Sequence, residues 1–190
     1  MATIHTVLWH GILLPGHEYC QLSAQDTQWQ LNGTAVFTHA SLPCRLDYAI
    51  TCDAAWRTLS ANVRGWIGDS VVLLNLVVDS HQRWYMNDVE QPQVDGCIDL
   101  DLNFSPSTNL LPIRRLDLPI GAQAEITAAW LKFPSFSLEP LPQRYTHVEE
   151  NEYRYESGGG RFVADLRVNS SGFVLDYPGI WLAEATSGSK

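Results

Sequence analysis

A chain of 190 residues with a formal net charge of −9 is long enough for one well-buried core. Its 12 Lys and Arg are outnumbered by 21 Asp and Glu and are dispersed, so it lacks the basic footprint of a nucleic-acid-binding protein. The apolar stretch at residues 6–14 stops at Pro15-Gly16 with no Lys or Arg before it, too short for a membrane span and unlike a secretory signal; the expectation is a soluble, cytoplasmic protein with no integral membrane segment.

The predicted elements are strands. Runs rich in Val, Ile, Thr, Tyr, Phe and Trp, separated by Gly, Asn, Asp and Pro, place them at residues 6–14, 28–38, 46–52, 58–67, 70–78, 83–86, 97–104, 113–118, 124–133, 137–141, 144–156, 161–168 and 172–177. No segment holds a helical period over three turns. The predicted fold is all-β: one domain, a many-stranded antiparallel β-barrel of about 15 strands that closes to remove its edges, with residues 186–190 as a flexible tail.

Near the start of the chain lie His5, His10 and His17. His5 and His10 differ by an odd number and would face opposite sides of one strand, so no metal site is predicted there. Cys20, Cys44, Cys52 and Cys97 have no C-x-x-C spacing and are expected as free thiols. Asn32-Gly33-Thr34 and Asn169-Ser170-Ser171 match glycosylation acceptors, but are read as turn chemistry. Gly68-Asp69-Ser70-Val71-Val72 lacks the last glycine of a nucleophile elbow. Residues 156–161 carry three glycines without the ending of a phosphate loop and read as a hairpin turn. No cofactor is expected.

The chain holds 7 tryptophans, most of which are expected in the core. A minority, Trp66 and Trp84 among them, with Tyr153, Tyr155, Arg57 and Arg64, would line a cavity suited to an amphiphile: rings for its chain, guanidinium groups for its head.

Residues 99–118 read D-L-D-L-N-F-S-P-S-T-N-L-L-P-I-R-R-L-D-L. Alternation puts Asp99, Asp101 and Asn103 on one strand face and the apolar residues on the other. The polar turn at residues 105–109 would let residues 113–118 return as a second strand, carrying Arg114 and Arg115 towards the carboxylates. Asp99 and Asp101, about 7 Å apart along a strand, have the separation of a glycosidase acid pair. Nearby arginines would depress their pKa, which argues for a salt-bridged network instead.

The two halves carry similar blocks. Ala61-Asn62-Val63-Arg64 matches Ala164-Asp165-Leu166-Arg167, Val77-Val78-Asp79 with Trp84 matches Val174-Leu175-Asp176 with Trp181, and Tyr48 and Tyr153 precede them. Two fused similar units, roughly residues 1–95 and 96–185, are an alternative to a single undivided repeat-free barrel.

The segment 99–116, with residues 48–66 before it and Tyr153-Arg154-Tyr155-Glu156-Ser157 after it, resembles the bacterial family of putative glycolipid-binding proteins over almost the whole chain. The resemblance implies a β-barrel similar in fold to the lipoprotein-localisation factors, which hold acyl chains in a hydrophobic cavity. It carries no catalytic residues over. The expected function is non-catalytic binding of a glycolipid or similar amphiphile, with polar contacts from Asp99, Asp101, Asn109, Arg114 and Arg115. The alternatives are an enzyme acting on a sugar or lipid head group through Asp99 and Asp101, and an interaction protein without a small ligand.

Overall fold

Cys44, Leu46, Tyr48, Ile50 and Cys52 are buried while the residues between them are not, the period of a strand covered on one face. Repeated along the chain, that pattern builds one sheet of fifteen strands. The computed structural model describes residues 4–188. The first strands are β1 (Ile4–Gly11), β2 (Gly16–Gln25), β3 (Gln28–His39), β4 (Leu42–Cys52), β5 (Thr58–Ile67), β6 (Ser70–Val78), β7 (Trp84–Met86) and β8 (Val89–Glu90). After them come β9 (Leu100–Leu102), a helix α1 (Leu110–Leu116), β10 (Gln123–Lys132), β11 (Ser137–Glu149), β12 (Glu152–Ser157), β13 (Phe162–Val168), β14 (Val174–Tyr177) and β15 (Trp181–Ser187).

Neighbouring strands follow one another in cyclic chain order, because β1 also pairs with β15. The ladder does not close: β8 and β9 are its edges. Other bonds span this seam. Gly96 N–H donates to the Gln82 carbonyl at 2.9 Å, and Thr58 N–H to that of Ile98 at 3.1 Å. The Trp84 indole donates to the Cys97 carbonyl at 2.9 Å. The all-β, 15-stranded, mostly antiparallel sheet is as expected, its hydrogen-bonded ladder is open between β8 and β9, and one pair, β9 and β10, runs parallel.

That parallel pair explains a correction. Parallel neighbours need a crossover, and residues 110–116 supply it as α1 instead of the strand expected at 113–118. Leu110, Leu111, Pro112 and Ile113 are all buried, and the exposed Arg114 follows them, so the first turn of α1 is enclosed on every side. Pro112 fits because first-turn N–H groups have no intrahelical partner. Asp117, with φ of 42°, ends the helix in the left-handed region.

Strands β2 and β15 were not expected, and the run 144–156 divides between β11 and β12. Asn32 and Gly33 lie within β3, paired with β2 and β4, not in a turn. Asn169 does make the expected turn, its side chain accepting from Ser171 N–H and Phe173 N–H at 3.0 Å each. Gly158, Gly159 and Gly160, all with positive φ, turn β12 into β13. Thr186 and Ser187 of the expected tail pair with β1. Ser189 and Lys190, like Met1, Ala2 and Thr3 of the stretch read for a signal, lie outside the described residues.

The blocks shared by the two halves fall on β4 to β7 and on β12 to β15, each four consecutive antiparallel strands. Registers bring the turns 12–15, 158–161 and 178–180 to one end of the sheet and the turns 53–57 and 169–173 to the other. Helix α1 sits at the second end, the Arg114 guanidinium 5.3 Å over the Trp56 ring. Inside lie the fully buried Trp9, Trp84, Phe104, Tyr145 and Phe173. All four cysteines are buried and free.

Candidate functional site

At the first end lies a pocket of about 350 Å³. Leu13, Trp130, Leu141, Phe162, Tyr177, Ile180 and Trp181 give it an apolar wall, and Asp101, Ser105, Asn109 and Arg161 give it polar groups. The strands explain the mixture. β9 buries Leu100 and Leu102 on its inner face and turns Asp101 the other way, opposite Trp130 of β10.

Asp101 is held by an amide relay. The Asn109 side-chain amide donates to the Tyr145 hydroxyl at 2.9 Å, that hydroxyl to Gln143 Oε1 at 3.4 Å, and Gln143 Nε2 to Asp101 Oδ2 at 2.6 Å. Burial pushes the Asp101 carboxyl up to about 6, against the opposing bond from Gln143. Near neutral pH the pocket therefore presents a carboxylate that takes a proton easily. Burial also raises the hydroxyls of Tyr155 and Tyr177, so both stay neutral donors.

A second buried carboxyl lies beside it. Glu18 of β2 faces inward, wholly buried, and its Oε1 accepts from the Tyr48 hydroxyl and from Ser105 Oγ at 2.5 Å each. Its Oε2 is buried without a partner. Burial pushes the Glu18 carboxyl up to about 8, so it is mostly protonated at neutral pH. Ser105 both contacts Glu18 and lines the pocket. Tyr48 reaches Glu18 across Gly33, where a Cβ would strike the tyrosine ring.

The sequence profile of the putative glycolipid-binding family matches residues 6–183. The chain belongs to that family. It is similar to a crystal structure of a DUF1089 family protein from Pseudomonas aeruginosa, at 35% identity and a TM-score of 0.75, over 87% of this chain and 91% of that one. It is also similar to a β-barrel-like protein of the domain of unknown function DUF1849 from Brucella abortus, with a TM-score of 0.60 over 99% of this chain and 98% of that one. Identity there is 7%, a likeness of fold alone. No curated protein matches the chain.

In this member of the putative glycolipid-binding family, Asp101, Asn109 and Tyr155 share the pocket. Asp99 does not join them. It is buried and takes a bidentate pair from Arg115, at 2.9 Å from Nε and 2.5 Å from Nη2, beside a different pocket. Burial still raises the Asp99 carboxyl, with the guanidinium opposing, which corrects the expectation of a depressed acid. Arg114 packs on Trp56 and Tyr153 stacks on His147 at 4.3 Å. Arg64 and Trp66 are exposed on the outer face, and Arg57 is exposed in the β4–β5 turn. Trp84 is core. Glu18 was missed, although strand parity with Cys20 and Leu22 marks it as inward-facing.

Proposed function

We propose that the pocket around Asp101 binds an amphiphile with a hydroxylated or sugar-bearing head, in keeping with the name of the family. The observation that carries this reading is the division of one pocket into an aromatic wall and a polar floor fixed by the Asn109–Tyr145–Gln143–Asp101 relay. A volume of about 350 Å³ is at the small end of ligand sites, enough for a head group and the start of a chain. Asp101 accepts from hydroxyls, Asn109 and Arg161 add polar contacts, and Trp130, Tyr177 and Trp181 cover the apolar part.

Catalysis by two acids would need both against one bond. Asp99 and Asp101 line separate pockets, and among the pocket's described lining residues Asp101 is the one carboxylate. Binding is the reading we adopt.

The test is calorimetry and native mass spectrometry with dodecyl maltoside below its micelle threshold. A 1:1 complex is expected, weakened at least tenfold by Phe162→Arg, which puts a charge into the apolar wall, and severalfold by Asp101→Asn. No complex, or one indifferent to both substitutions, overturns the proposal.

A further inference from the structure

Outside the pocket, on the outer side of the same end, His10 of β1 and His17 of β2 are direct cross-strand partners in the first hairpin. Their ring centroids lie 5.2 Å apart. Cross-strand partners on one face of an antiparallel pair point the same way, so the fold joins the two imidazoles that chain parity against His5 could not. A third donor comes from the other flank of β1. The register of β1 with β15 runs Leu8 opposite Ala185 and Trp9 opposite Ala183, leaving Glu184 as the extra residue of a β-bulge. Bulges re-aim side chains, and the Glu184 carboxylate comes to 3.4 Å from His17 Nε2. One donor atom from each of His10, His17 and Glu184 lies within 4.8 Å of the others.

We propose that His10, His17 and Glu184 form a binding site for a divalent transition-metal ion, with zinc the best match. Two imidazole nitrogens, borderline donors, beside one carboxylate suit zinc and disfavour calcium and magnesium, which prefer all-oxygen cages. Ligands at about 2.0–2.2 Å in a tetrahedron stand roughly 3.4 Å from one another. The His17–Glu184 contact is already at 3.4 Å, and the other donor pairs, all within 4.8 Å, have about 1.4 Å or less to close on binding. The three residues occupy adjacent strands, so the ion would fasten β2, β1 and β15 together. Solvent supplies the fourth ligand at this exposed surface. The site also adjoins the pocket wall, since His10 pairs with Leu182, the neighbour of the pocket residue Trp181.

The experiment is titration of the tag-free, metal-stripped full chain with zinc chloride by calorimetry, with thermal unfolding followed in parallel. One zinc ion per chain is expected to bind, and to raise the unfolding temperature as a ligand selective for the folded state must. His10→Ala and His17→Ala should each weaken binding more than tenfold, Glu184→Gln severalfold, and His81→Ala, an exposed histidine elsewhere, not at all. Circular dichroism of each variant establishes that it folds. Absence of stoichiometric binding in the wild type overturns the proposal, as does binding that survives both His10→Ala and His17→Ala in folded protein.

Discussion

At the scale of single residues, Glu18 carries the largest electrostatic consequence. Its carboxyl has an ordinary value of 4.5 when unfolded and about 8 when folded. A raised folded value means that the folded chain holds the proton more tightly, so this contribution to stability is complete below pH 4.5 and is lost as pH rises through 8. Asp101, moving from 3.8 to about 6, acts in the same direction, and most of its contribution is lost by pH 7. Glu18, still protonated in the folded chain over most of the range between pH 6.5 and 8, therefore adds a falling slope of stability there. Glu18→Gln keeps an acceptor for Tyr48 and Ser105 and cannot ionise. Between pH 6.5 and 8, urea unfolding should show the wild type losing roughly 1–2 kcal/mol more than the variant. Equal slopes between pH 6.5 and 8 would show that Glu18 ionises freely in the folded protein.

Among elements, α1 is tied down at one point by the Arg115–Asp99 pair, whose side chains are 16% and 2% exposed. Removing one partner strands a buried charge, at about 3–5 kcal/mol, whereas removing both leaves a shape that apolar groups can fill. Asp99→Ala and Arg115→Met should each destabilise by that order in urea unfolding, and the double variant by less than their sum. Additive losses would mean that the pair is not coupled. This element also marks where sequence reasoning runs out. Long strands such as β4 and β5 are legible because alternation repeats over ten or so residues. α1 has 7 residues, too few for a helical period to stand out from alternation in L-L-P-I-R-R-L. β2 hides behind His17, Glu18, Gln21 and Gln25, polar residues that propensity assigns to loops. The candidate site was legible to the same degree. Alternation singled out Asp101, and the polar turn Asn109, but which acid meets Arg115 depends on the crossover, and the His10–His17–Glu184 cluster depends on a bulge register that only the folded sheet fixes.

For the whole molecule, the cyclic order of strands concentrates its weakness at one place. Every strand from β10 through β15 and β1 to β7 has ladder partners on both sides, whereas β8 and β9 have one each. The gap is spanned by backbone and side-chain bonds centred on Thr58, fully buried, whose N–H donates to the Ile98 carbonyl and whose Oγ1 accepts from Leu100 N–H, each at 3.1 Å. Local opening follows the fewest cooperative bonds, so amides of residues 89–102 should exchange with deuterium ahead of those in β3, β4, β10 and β11. Thr58→Val keeps the shape and removes the acceptor, leaving Leu100 N–H buried and unpaired at about 1–3 kcal/mol. Exchange in residues 97–104 should then accelerate severalfold while β3 and β4 keep their protection. If the loss appears uniformly around the sheet, the seam and the ladder open as one unit, and the hydrogen-bonded edge is not where this fold yields first.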